Sequence, residues 1–196
     1  MSLPKRLVVG LSGASGMPYA LDLLQTLRRI PSLETHLVMS QGAKRVLVEE
    51  AEMNIEEAEA LAQVIHRSSD LGAAVASGSF RTMGMVIVPC SATTLSKVAY
   101  GLADNLLTRA AYVTLKERRP LVLVPREAPL PLPSLEAMVK AAQAGATILP
   151  AAPGFYHKPQ QIDDLLAFIT QRILDLFGLD YPRAPRWKEA MEFELD

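Results

Sequence analysis

The sequence predicts an α/β protein in which a parallel sheet lies between layers of helices, a three-layer arrangement. Two observations carry this. Short apolar runs, Leu7 to Leu11, Thr35 to Met39, Met85 to Val88, Leu121 to Val124 and Thr147 to Leu149, recur at intervals filled by longer helical patterns, the alternation expected of strand–helix–strand crossovers. The runs Val86-Ile87-Val88 and Leu121-Val122-Leu123-Val124 are continuously apolar, as strands covered on both faces must be.

Between the strands, the helices carry their own signals. Tyr19, Leu23, Leu24 and Leu27 form one apolar stripe, which predicts a helix over 17–29. Pro18 is tolerated there because the first helical turn has no intrahelical acceptor for its missing N–H. Asn54 followed by Glu57 has the spacing of a capping box and predicts a helix opening there and running through Val64. Residues 93–117 divide into two helices around Asp104-Asn105. Ser134, after Pro133, opens a further helix that Gly145 ends, and 161–177 form a last long helix stopped by Gly178. No repeat, linker or low-complexity segment interrupts the pattern, so residues 1–179 are expected to form one domain and 180–196 an irregular tail.

Composition narrows the function. Of 196 residues, 49% are hydrophobic and 21% charged, and the net charge is −1, which supplies a core but no basic field for nucleic acid or anionic membrane. Cys90 is the single cysteine, excluding an intramolecular disulfide, and His36, His66 and His157 are too scattered to suggest a metal site. Lys5 and Arg6 ahead of Leu7, Val8 and Val9 imitate a signal peptide, but Gly10 breaks the run, and it reads better as a first strand. No apolar stretch reaches the ~18 residues of a membrane span. A cytoplasmic location is expected.

In an open parallel sheet, ligands bind beyond the carboxyl ends of the strands, where helix N-termini also direct their N–H groups. The segment after each strand is therefore informative. Ser12-Gly13-Ala14-Ser15-Gly16 comes after the first run, Ser40 after the second, Cys90-Ser91-Ala92-Thr93-Thr94 after the third, Arg126-Glu127 after the fourth, and Pro150 through Tyr156 after the fifth. Glycines let backbone approach an anion, hydroxyls donate hydrogen bonds, and Arg126 adds a bidentate charge. One glycine-rich turn alone could simply be a tight connection, but two hydroxyl-rich turns point to a phosphate-binding rim. The spacing Gly10, Gly13, Gly16 is not the dinucleotide fingerprint, there is no Walker lysine, and Ser40 stands where a ribose-binding acid would be expected. Mononucleotide binding is favoured.

The runs GLSGASG (10–16), SGSFRTMGMVIVPCSATTLS (77–96), RAAYVTLKERRPLVLVPREAP (109–129) and ILPAAPGFYHKP (148–159) resemble, in order and spacing, the signatures of UbiX-type flavin prenyltransferases, earlier described as aromatic acid decarboxylases. The resemblance implies a Rossmann-like or flavodoxin-like fold, and a reaction joining dimethylallyl monophosphate to reduced FMN without a metal. It also implies a UbiD-type decarboxylase that receives the product, and a large homo-oligomer, up to a dodecamer, whose sites draw residues from neighbouring subunits. Carried over by position, FMN contacts fall on Gly13, Ala14, Ser15, Ser40, Ser91, Ala92, Thr93, Thr94 and Arg126. Prenyl phosphate contacts fall on Lys116, Tyr156 and Arg172. Ser15, Glu50 and Glu127 match catalytic positions, and Arg109 and Trp187 others of the active-site region.

Read from the residues alone, several of these have ordinary explanations. Lys116 to Arg119 is a charge run at a helix end, where cations complement the dipole. Arg172 lies at the edge of an apolar stripe, Tyr156 could be a packing ring, and Cys90 reads as a small buried residue. Tyr112 stands where the family commonly has Asp. Two other functions are open at this level: an FMN-dependent decarboxylase of aromatic or cysteinyl acids, and an FMN carrier without catalysis.

Overall fold

The computed structural model describes residues 5–51 and 53–186. Among these, six parallel strands form one sheet: β1 (Lys5–Leu11), β2 (Leu33–Met39), β3 (Val64–Arg67), β4 (Gly84–Cys90), β5 (Leu121–Pro125) and β6 (Ala146–Ile148), in spatial order β3-β2-β1-β4-β5-β6. This is doubly wound order, reversing direction of growth between β1 and β4.

Alternation along each strand sorts its side chains into two cores. Leu7, Val9, Leu11, Val86 and Val88 pack with α1 (Met17–Arg28), α2 (Gln41–Glu50), α3 (Ile55–Glu59) and α7 (Ile162–Leu176). Val8, Val38, Met85, Ile87 and Leu123 pack on the opposite face against α4 (Ala92–Ala99), α5 (Leu106–Lys116) and α6 (Leu132–Gln143). Leu7, Val9 and Leu11 are fully buried, each contributing about 1.5–3 kcal/mol relative to exposure. The three-layer fold is the predicted one, and β1, β4 and β5 are covered on both faces.

Three local expectations are corrected. The helix expected from Asn54 to Val64 does open on an Asn54–Glu57 capping box, but it ends at Glu59, and Val64–Arg67 is the edge strand β3. Its alternating exposure, with His66 inward of exposed Ile65 and Arg67, shows why an apolar-run search passes over it. The helix expected from Ser134 starts two residues earlier with Pro133 in its first turn, and Ser134 is buried within it. Helix α2 has no counterpart among the expected elements; Ser40 caps it, and Ala43 and Leu47 bury its inner face. Among the described residues, no helix is long and apolar enough to cross a membrane.

Residues 180–186 carry no helix or strand and lie along α7. The side-chain amide oxygen of buried Gln171 accepts the Arg183 N–H at 2.6 Å, and the Arg183 guanidinium pairs with Asp22 of α1.

Candidate functional site

The reversal between β1 and β4 opens the crevice in which a doubly wound sheet holds ligands. Here it is tied by Ser12. Its fully buried hydroxyl donates to the Pro89 carbonyl at 2.8 Å and accepts the Ser91 N–H at 2.7 Å, joining the loop after β1 to the loop after β4. The Ser40 N–H donates to the Leu11 carbonyl at 3.0 Å, which brings the end of β2 into the same edge. Sequence reasoning placed Ser12 in the glycine-rich run without giving it a role. The available signal was a hydroxyl directly after an all-apolar strand, where a partner is obligatory once buried.

Two helices aim at this edge. Ser40 caps α2, its hydroxyl oxygen accepting the Ala43 N–H at 3.0 Å. Ser91 caps α4, accepting the Thr94 N–H at 3.3 Å and donating to the Thr94 hydroxyl at 3.1 Å. Uncompensated N–H groups and the helix dipoles make such ends positive. Gly13 lies exposed between them, and a Cβ there would stand 3.1 Å from the backbone of Gly42 in the first turn of α2. A Cβ at that distance is tighter than ordinary packing, so glycine suits the close approach of these two segments. Ala14 is buried beneath the loop, while Ser15 and Thr93 are exposed and Ala92 is half-buried. Gly13, Ser40, Ser91 and Thr94 thus form a cradle of small and hydroxyl groups between two helix ends, a donor set that fits the phosphate of a flavin mononucleotide.

The amino end of α1 is differently occupied. Gly16 caps it with φ 118° and no side-chain bond of its own. Instead, the Glu50 carboxylate from the last turn of α2 accepts the N–H groups of Gly16 at 2.8 Å and Met17 at 3.0 Å. Burial pushes the Glu50 carboxyl up, but the Ser15 hydroxyl, these two N–H groups and the Arg126 charge outweigh it and hold it below its ordinary value. Arg126, at the end of β5, donates from Nε to the Ser15 carbonyl at 2.9 Å. Ser15, Glu50 and Arg126 therefore converge from three elements, and exposed Glu127 succeeds Arg126 at the same edge.

The remaining residues assemble elsewhere. Tyr156 and Arg172 share a cavity of about 140 Å³ beside α7, walled also by Phe168, Asp175, Ala184 and Arg186. The Tyr156 ring meets Phe168 edge-on at 5.7 Å, and His157 stacks on Phe168 at 5.5 Å. Lys116 does not join either cluster within one protomer. It ends α5 and pairs with Glu117 at 2.7 Å. Its Nζ lies beside Gly78, in the segment leading into β4, where Arg119 also donates to the Gly78 and Phe80 carbonyls. That is the amino-terminal edge of the sheet, opposite the crevice. The Arg109 guanidinium sits 5.7 Å over the Tyr112 ring in α5. Trp187 lies outside the described residues.

Cys90 is fully buried, and burial pushes its thiol far above the ordinary range. Among the described residues, no group of three or more His, Cys, Asp or Glu is arranged to hold a metal ion.

Comparison with known proteins agrees with this geometry. The Flavoprotein family matches residues 1–174. The flavin prenyltransferase UbiX of Deinococcus radiodurans is 60% identical over 186 residues, 95% of each chain. A crystal structure of AnUbiX (PadA1) in complex with FMN and dimethylallyl pyrophosphate superposes with a TM-score of 0.93 at 43% identity, covering 96% of this chain and 100% of that one. A dodecameric FMN-dependent UbiX-like decarboxylase from Escherichia coli O157:H7 superposes with a TM-score of 0.91 at 46% identity, over 93% and 99% of the two chains. On these matches, and on the convergence of small, hydroxyl and acidic residues at the β1/β4 crevice, the chain belongs to the flavoprotein family, among its UbiX-type flavin prenyltransferases.

Proposed function

We propose that this chain transfers the dimethylallyl group of dimethylallyl monophosphate to reduced FMN, making the prenylated flavin used by a UbiD-type decarboxylase. The observation that carries this reading is the meeting of Ser15, Glu50 and Arg126 beside a cradle formed by Gly13, Ser40, Ser91 and Thr94. It is supported by the relatives named for flavin prenyl transfer and by the neighbour holding FMN with a dimethylallyl phosphate ester.

Reduced FMN would supply the nucleophile: its nitrogen 5 would bond to the allylic carbon as the carbon–oxygen bond breaks and phosphate leaves with the electron pair, and closing the new ring would add a proton to the prenyl double bond and release the protons of nitrogen 5 and of the adjacent aromatic carbon. The chain's residues then have distinct tasks. Gly13, Ala14, Ser40, Ser91, Ala92, Thr93 and Thr94 bind the flavin phosphate and ribityl chain. Ser15 and Glu50 form a hydroxyl–carboxylate pair able to hold or move a proton at the flavin, with Glu127 a second carboxylate at that edge. Arg126, Lys116, Tyr156 and Arg172 stabilise charge on the departing phosphate.

Lys116 lies at the opposite edge of the sheet from Arg126, so a site using both takes them from two protomers, which favours a homo-oligomer. Exposed Tyr100 at the end of α4, and Leu132, Leu135 and Val139 on α6, provide apolar surface for such assembly. In this reading residues 1–179 act as one flavin-binding unit with 180–196 as its tail, and the protein works in the cytoplasm. The test is incubation with reduced FMN and dimethylallyl monophosphate, without added metal. A flavin heavier by one C5H8 unit is expected, and an unchanged flavin mass overturns the proposal.

A further inference from the structure

The cavity beside α7 is lined by a second guanidinium, that of Arg186, besides Arg172. Asp175 makes an ion pair with Arg172 at 3.4 Å through one carboxylate oxygen, and through the other accepts from Arg186 at 2.7 Å and from the buried Gln171 amide at 2.9 Å. Arg172 with Asp175 is neutral, a poor receptor for a phosphate monoester carrying close to two negative charges. Arg186 brings a second guanidinium fork to the same wall, the geometry that matches phosphate oxygens.

Arg186 is fixed there by sequence-distant contacts. Gln171 accepts the backbone N–H groups of Arg183 and Ala184, and Asp22 holds the Arg183 side chain, so residues 183–186 are laid across α7 with Ala184, Pro185 and Arg186 forming one wall of the cavity. Tyr156, packed by Phe168, lines the same cavity.

We propose that Arg186 is a second phosphate-binding guanidinium of this cavity, acting as a pair with Arg172 around the shared counter-charge of Asp175. The proposal rests on the reading that prenyl phosphate binds at Tyr156 and Arg172. Asp175 itself is a carboxylate that burial pushes up, but the hydrogen bonds from Arg186 and Gln171 and the charges of Arg186 and Arg172 hold it below its ordinary value, so it stays ionised as the counter-charge of the pair.

The rival role for Arg186 is purely structural, anchoring the chain to α7 through Asp175. Inorganic phosphate binding to the FMN-loaded full chain, measured by calorimetry, separates the two, with melting curves confirming that each variant is folded. Arg186→Gln is expected to weaken phosphate binding and raise the KM for dimethylallyl monophosphate, each ~10- to 100-fold, with FMN affinity unchanged within about twofold. Arg186→Lys, which keeps the charge without the fork, should fall between. Asp175→Asn removes the same anchor yet leaves both guanidiniums, so phosphate should bind at least as tightly as to the wild type. Absence of phosphate binding to the wild type, equal binding by Arg186→Gln, or equal weakening by Asp175→Asn and Arg186→Gln overturns the pair. A wild-type chain that binds phosphate through both arginines but makes no prenylated flavin overturns the prenyl-transfer reading and leaves the pair standing.

Discussion

Glu50 closes the amino end of α1 from a position 34 residues away in sequence, its carboxylate accepting the Gly16 N–H at 2.8 Å. A negative charge at that helix end contributes about 0.3–1 kcal/mol when exposed to solvent. Because the folded-state carboxyl titrates below its ordinary value of 4.5, the contribution is fully present above that value and is lost as pH falls through the lower folded one. Glu50→Gln should therefore melt about 1–4 °C below the wild type at pH 7 and converge with it at a pH below the lowered folded value of the carboxyl. Parallel melting curves separated equally at both pH values would show that the carboxylate charge is not what holds this helix end.

Ser12 carries a stronger expectation. Its hydroxyl is fully buried and serves both the Pro89 carbonyl and the Ser91 N–H. Ser12→Ala leaves both groups without that partner, at a cost of about 1–3 kcal/mol, which for a chain of this size lowers Tm by roughly 2–4 °C per kcal/mol. Since Ser91 caps α4, FMN affinity should fall with it, by fluorescence titration. An FMN affinity equal to the wild type would uncouple this buried bond from the cradle.

The separation of Lys116 from Arg126 across the sheet lends itself to subunit mixing. Lys116→Ala and Arg126→Ala are each expected to lose most prenyl transfer. When the two are unfolded and reassembled together in equal amounts, about a quarter of the sites should combine an intact Lys116 with an intact Arg126 and recover turnover. Mixtures that remain as inactive as their components would mean that the two residues do not serve one site.

Cys90, buried with its thiol pushed far upward, should resist alkylation by iodoacetamide at pH 8 in the native protein and react readily once denatured. Intact mass read before and after adding denaturant decides this. Rapid native labelling accompanied by loss of activity would return the thiol to the chemistry.

The legibility of fold and site in the sequence depends on the range of the interactions. The buried strands announced themselves as continuous apolar runs, and Asn54 marked a helix start through capping geometry three residues long. Edge strand β3 was hidden because only one of its faces packs, and Val64-Ile65-His66-Arg67 then lacks an apolar run. The hydroxyl rim could be inferred, since each of its residues directly succeeds a strand. The Arg126–Ser15 bond, 111 residues in separation, and the capture of the α1 end by Glu50 could not, because only the tertiary fold brings those segments together. Glu50, Lys116, Tyr156 and Arg172 were placed by family resemblance, and their residue types alone would have left them as surface charges and a packing ring.

The contact between Gly13 and Gly42 also limits how this sequence can drift. A Cβ on Gly13 would meet Gly42 backbone at 3.1 Å, and one on Gly42 would meet the Gly13 Cα at 3.2 Å. Neither position can relieve the other by becoming smaller. In a saturation library both sites should prefer glycine, with the cost rising with side-chain size, yet the double substitution should cost less than the two singles added, because the first already separates the segments. Two glycines that neither donate from side chains nor touch catalytic groups would then stand out as the least interchangeable pair in the flavin cradle.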